Sequence, residues 1–348
     1  MKSLPLTITL VAVLVVAGLN GLAAKTITVT TQANTQADYY LASGQPYTTL
    51  DALLQSADVA EGDVLHLLPS ATDYGNVNIT KGITLYGNGH YFQPQTAHAR
   101  LEDLNVNSAN VTVIGIEAEA VNVNTQNGNT SVTDFLLRKS HITGLVRMQR
   151  YVERAHFEGN LFAGNIEISS TTQTQTDIIF SNNLMTNNAN LDIKAAGSGV
   201  TKNVLFVNNT FIGDAHQNPS YEVVRHSIFL RNVFAGWQFN TDTQGSTFYH
   251  NLFTTTAALP AGNTGSATDN VLNGTASFEN TDGNHTYNYG NEDLRLTNQP
   301  YTGEVVGITD SYNPYGTPVN ANEIDVNVVN PVVSGTDPVI ITITDNQQ

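Results

Sequence analysis

The chain has no cysteine, few basic residues and few charges of either sign. Without cysteine there are no disulfides, so stability has to come from packing and backbone pairing. Fourteen Lys and Arg stand against thirty Asp and Glu, a net charge of −16. That balance repels phosphate backbones and anionic membranes and excludes nucleic acid as an expected partner. Charged residues make up only 13% of the chain, whereas Asn, Thr and Gly are abundant. Such a bias suits turns and short strands better than helices.

Long apolar runs are also missing, except at the start. Met1-Lys2 is followed by an apolar stretch from Leu4 to Leu19 and by small residues at Gly21, Ala23 and Ala24. This pattern reads as a secretory signal peptide over 1–24, because a core of about 15 apolar residues is short of the ~20 that spanning needs. The expected location is extracellular or at the cell surface. No membrane span is expected in the mature chain.

What is present is a repeat. Phe157-Glu-Gly-Asn160-Leu-Phe162, Phe180-Ser-Asn-Asn183-Leu-Met185, Phe206-Val-Asn-Asn209-Thr-Phe211, Phe229-Leu-Arg-Asn232-Val-Phe234 and Phe248-Tyr-His-Asn251-Leu-Phe253 share one template. Their Asn positions step by 23, 26, 23 and 19 residues, a period in the solenoid range. The two large apolar positions are five apart, so a single flat strand would send them to opposite faces. Both point inward only around a corner. The Asn is expected at that corner, tolerating unusual backbone angles and bonding to its counterpart one coil away. An alanine at Asn183 or Asn209 is expected to cost roughly 1–3 kcal/mol, because buried turn groups lose their partners.

These coils resemble the pectin-lyase-like right-handed β-helix proteins, which carry an inward Asn ladder at a tight turn beside aromatic stacks. Leu137-Arg-Lys-Ser140-His-Ile142 extends the match with Ser in the Asn column, and segments ending at Gly115 and Gly87 extend it with Gly there, giving about nine coils. Tyr47 to Ala57, with apolar residues at 50, 53, 54 and 57, reads as a capped amphipathic helix over the first coil. Asp293-Leu-Arg-Leu296 with Pro300 is similar to the family's closing segment. The resemblance implies an all-β, right-handed, single-stranded parallel β-helix over 25–300, its N-terminal cap included. Two alternating runs, Ile324 to Val328 and Val339 to Ile343, lie among prolines in 301–348 and read as capping strands, also suited to self-association.

Enzymes of the resembled family use stacked carboxylates that bind calcium, together with an Arg or Lys base. Here Asp134, Glu158, Glu167, Asp177, Asp192, Asp214 and Asp242 are spread about one per coil, which reads as a solvated surface. Calcium is therefore not indicated and no cofactor is expected. His141, His156 and His226 fall in three columns, so no metal site is expected. Arg147, Arg150 and Arg154 read either as a grip on an acidic polymer or as partners for the protein's own acids.

Relative to each Asn, the second residue before it runs Arg138, Glu158, Ser181, Val207, Leu230, Tyr249, so Arg138 and Glu158 should form a cross-strand ion pair. The residue just before it runs Lys139, Gly159, Asn182, Asn208, Arg231, His250. Arg231 and His250 are thus expected as rung neighbours, with Tyr249 beside them and Trp237 one turn away. These four are the candidate ligand-binding residues, since rings stack on sugars and Arg meets carboxylates. Packing of the same residues over the C-terminal coils is the competing reading. Thr-rich stretches do not repeat in one column, which disfavours ice binding. The sequence favours a non-catalytic structural or adhesive scaffold. The alternative is a polysaccharide-binding protein or, as an enzyme, a polysaccharide lyase or glycoside hydrolase, with extracellular polysaccharide or another cell-surface molecule as partner.

Overall fold

A computed structural model of the chain describes residues 24, 26–29, 47, 49–89, 98–124, 131–168, 174–186, 190–193, 202–213, 224–239, 243–265, 268–283, 287 and 291–310, and the backbone of 325–329 and 340–344. The expected signal peptide lies outside these residues apart from Ala24. Asp214, Asp242 and part of the Thr171 to Thr176 stretch lie outside them as well.

The protein is an all-β parallel solenoid. Among the described residues its first sheet has ten strands, from Thr26–Val29 at one end to Thr247–Tyr249 at the other. Its second sheet has eleven among the described residues, from Val77–Ile79 to Leu252–Phe253. The pairing between coils is parallel throughout both sheets, as when Val152–Glu158 is flanked by Val132–Arg138 and Gln175–Ser181. The regular solenoid amounts to about six turns, fewer than the nine expected. The turns with a side chain of the ladder type at the corner run from Ser140 to Asn270, whereas Thr112–Ile114 joins Glu117–Val123 through Gly115. Among the described residues no helix is long and apolar enough to cross a membrane.

Period-two alternation fills the interior. Phe157, Phe180, Phe206, Phe229 and Phe248 stack face to face with centroids 4.5–4.9 Å apart, which is the spacing of neighbouring strands. A second stack, Phe211, Phe234 and Phe253, faces it around the corner at 4.6 and 4.7 Å. The sequence template is therefore the record of two columns of rings.

The expected ladder is present. Asn160, Asn183, Asn209, Asn232 and Asn251 have no exposed surface. Each donates from Nδ2 to the Oδ1 of the next at 2.9–3.1 Å, and the column runs one rung further, to Asn270. Two details differ from expectation. The left-handed residue is the one before each ladder Asn: Lys139, Gly159, Asn182, Asn208, Arg231 and His250 have φ between 49° and 60°. That residue turns the chain, and the Asn following it points inward. Gly115 belongs to the same left-handed column, because Ile114 pairs with Arg138, which places Gly115 opposite Lys139 rather than opposite Ser140.

The N-terminal cap is a helix of one and a half turns, Leu50–Gln55, with Thr49 as its N-cap. Leu50, Leu53 and Leu54 enter the core. Asp51 accepts from the Asn78 amide and Gln55 donates to the Asn78 carbonyl, so the helix satisfies the open edge of the second sheet.

The C-terminal region covers a flank of the solenoid. Leu161, Leu184, Val233 and Leu252 follow ladder residues and point out of the second sheet, yet all are buried. Leu294, Leu296, Val306 and Ile308 lie on them. The closing segment Asp293–Leu296 is a strand paired antiparallel with Phe278–Asn280. Residues 301–310 therefore serve as a lateral cover. The two expected C-terminal strands form an antiparallel pair, Asp325–Val329 with Ile340–Thr344.

Candidate functional site

Arg231 and His250 occupy successive positions of the left-handed corner, since Leu230 pairs with Tyr249 in the first sheet. A residue at such a corner projects its side chain away from the core, so both point outward, as the sequence predicts. They converge on one carboxylate. Glu304 Oε2 lies 3.0 Å from Arg231 Nε and 2.6 Å from His250 Nδ1. The imidazole is also sandwiched, with Tyr249 at 3.8 Å on one side and Tyr301 at 4.3 Å on the other. Tyr301 donates its hydroxyl to the Asp269 carbonyl. Burial pushes that hydroxyl up to about 12, so it remains a donor at neutral pH.

Glu304 belongs to an extended strap that crosses the corner residues of four coils. The Asn208 amide donates to the carbonyls of Val305 and Gly307. Gly307 N–H donates to the Arg231 carbonyl. Ile308 N–H donates to Thr210, and Thr309 donates from its amide and hydroxyl to Asn182 Oδ1. The strap reads the corner mostly through its backbone and at one point through charge. Glu304 was not identifiable from sequence, since nothing local marks a lone Glu that returns 54 residues later to meet His250.

Of the four candidates, three come together and one does not. Tyr249 is 46% exposed and offers an open ring face. Trp237 is only 4% exposed and packs edge-on against Phe211 in the core, away from the Arg231–His250 surface.

Several other charged residues are paired. Arg138 and Glu158 form the expected cross-strand bridge at 3.0 Å. Beside them His156 accepts or donates at Ser181 Oγ at 2.7 Å. Burial and then the nearby Arg138 hold its imidazole down at about 4, so it is neutral at physiological pH. Arg147 meets Glu167 at 3.0 Å, and Arg154 grips Asp134 through two nitrogens at 2.7 and 2.9 Å. Two of the three arginines of the basic run are thus matched to the protein's own acids.

A second polar corner was also not foreseen. Asn110, Asp134, Arg154, Asp177 and His226 all have φ of 52° to 58°, and they lie at the opposite bend of the coil, where the first sheet's strands begin. On the second sheet, Glu117 is held between His98 and His141, each at 3.2 Å. Burial raises the Glu117 carboxyl, but the hydrogen bonds from His141 and His98 outweigh it and hold the group well below the usual carboxylate range. His141, His156 and His226 lie at separate places, as their columns imply. Among the described residues no group of three or more His, Cys, Asp or Glu is placed to hold a metal ion.

Comparison with protein-family models, with curated proteins and with solved structures returned no match. The site therefore has to be read from its own geometry.

Proposed function

We propose that the protein is an exported β-helix of the pectin-lyase-like type that serves as a non-catalytic scaffold or adhesive surface outside the cell. One observation carries this reading. The neighbourhood richest in ligand-competent side chains is already filled by the chain itself: the Glu304 carboxylate meets both Arg231 and His250, and Tyr301 covers one face of the imidazole. A preformed sugar or acid site would leave such donors open to solvent. Fold alone does not establish an activity. The ladder and ring stacks supply a stiff rod whose sides are free to vary.

A second reading rests on Tyr249, whose exposed ring, backed by His250, presents a flat apolar platform of the kind that stacks on pyranose faces. It makes the protein a polysaccharide-binding β-helix. A glycan-array and depolymerisation screen of the mature protein, with and without calcium, separates the two. No binding and no cleavage is expected for the scaffold. Selective binding that disappears in Tyr249→Ala, with the fold retained, establishes the second reading instead.

A further inference from the structure

The outer face of the first sheet changes character along the rod. Its two outward columns begin with Leu136 and His156 in one and the Arg138–Glu158 bridge in the other. They continue as Ile179, Leu205 and Ile228 in the first and as Val207, Leu230 and Tyr249 in the second. The five aliphatic residues form a cluster separate from the main core, because each alternates with an inward Val, Ile or Phe. Leu205 and Val207 are sheltered, and Ile179, Ile228 and Leu230 are half-buried. Tyr249 and Val305 lie open at the border, Val305 held to Asn208 by its carbonyl.

The strap delivers the chain to this face. It runs along the adjoining corner and brings Asp310 next to Thr309 on Asn182, and hence beside Ser181 and Val207. Thirty-eight residues follow Asp310, and they contain the antiparallel pair Asp325–Val329 and Ile340–Thr344. Its register sets Val326 opposite Ile343 and Val328 opposite Ile341. By the two-residue period these four share one face, and Asn327 and Thr342 belong to the other. A lone two-stranded hairpin is barely stable in water and needs a partner for its apolar face. The fourteen residues 311–324 reach up to about 45 Å when extended, ample for a face that begins a few ångströms from Asp310.

We propose that the apolar outer face around Leu205, Ile228 and Leu230 is the seat of the chain's own C-terminal hairpin, residues 325–344, which packs on it sheet against sheet. The chain's lack of cysteine makes a direct test clean. In the full-length mature protein, Thr247→Cys at the rim of the face and Asn327→Cys on the hairpin's polar side are treated with a bismaleimide matched to the ~10 Å spacing of packed sheets. The expected product is an intramolecular cross-link in the monomer, reduced about tenfold or more when Ile228→Lys and Leu230→Lys are added to a chain whose circular dichroism is unchanged. Absence of the link, a link insensitive to the two lysines, or a link found only between two copies each overturns the proposal. The last of these outcomes assigns the face to a neighbouring molecule's hairpin.

Discussion

Asn209→Ala probes the ladder where it is most deeply enclosed. Asn209 Oδ1 accepts from the backbone and side-chain amides of Asn183, both at 2.9 Å, and its Nδ2 donates to the Phe180 carbonyl at 2.9 Å and to Asn232 Oδ1 at 3.0 Å. Alanine removes all four bonds at a site with no exposed surface. Asn232 Oδ1 keeps the Asn209 backbone N–H, so the uncompensated groups are two N–H donors on Asn183 and the Phe180 carbonyl. A buried polar group left unmet costs about 1–3 kcal/mol. Allowing for partial relaxation, the variant should lose about 3 kcal/mol, the upper part of the range expected from sequence alone. Urea unfolding at unchanged m-value is the assay. Asn160→Ser is the comparison: a hydroxyl can still accept from Ser140 N–H, as Asn160 Oδ1 does now, and the loss should be nearer 1 kcal/mol. Because a solenoid's stability is largely a sum over neighbouring coils, amide exchange in Asn209→Ala should rise chiefly between residues 180 and 232. A loss under about 0.5 kcal/mol, or exchange that rises evenly along the rod, refutes the idea that the ladder supports the corners.

The remaining expectations concern pH, close packing and the strap. His156 has a folded value of about 4 against an ordinary 6.5, so the unfolded chain binds its proton more readily. Its contribution is full above pH 6.5 and declines as pH falls towards 4, by about 3 kcal/mol at most; His156→Gln should flatten that part of the stability–pH curve, and an unchanged slope contradicts the assignment. A Cβ on Gly164 would sit 1.4 Å from the Gly144 carbonyl oxygen, so Gly164→Ala should force two coils apart and cost roughly 2 kcal/mol or more, read as a fall in Tm. Glu304→Ala removes the clasp but no core contact. It should speed amide exchange and proteolysis in 301–310 while leaving solenoid unfolding within about 1 kcal/mol of the parent, and unchanged exchange shows the clasp to be idle. Arg231→Asn relieves a left-handed non-Asn corner as it removes the guanidinium from Glu304. Net stability should stay within about 1 kcal/mol, and a loss beyond 2 kcal/mol contradicts the corner argument.

The solenoid could be read from sequence because its rules are short-range in space and identical from coil to coil. Phe, left-handed residue, Asn and Phe recur at fixed offsets, so the template that aligned Arg138 with Glu158 and Leu230 with Tyr249 also gave the strand register. The reading slipped by one residue at Gly115, where glycine was placed in the ladder column although it serves the left-handed column beside it. Asn270 was missed because the Phe flanks that mark earlier rungs are absent around it. The site was legible only by half. Arg231, His250 and Tyr249 stand together as their columns predict, whereas Trp237 turns inward, and Glu304 and Tyr301 arrive from a segment with no repeat to announce it.

The corner residues themselves record what lies on them. A left-handed L-residue other than Gly or Asn is disfavoured by roughly 1–2 kcal/mol, so Asn182 and Asn208 are the economical choices, and they meet the strap through amide hydrogen bonds to backbone. Arg231 and His250 accept the less favourable conformation where the strap presents a carboxylate. Lys139 and Gly159 lie further along the rod than Asn182, which Thr309 of the strap meets. The change from Asn182 and Asn208 to Arg231 and His250 coincides with Glu304, whose carboxylate both side chains meet. Their side chains hold a covering segment to the rod, so the Arg, His and Tyr that the sequence brings together stand in the folded chain against Glu304 and Tyr301.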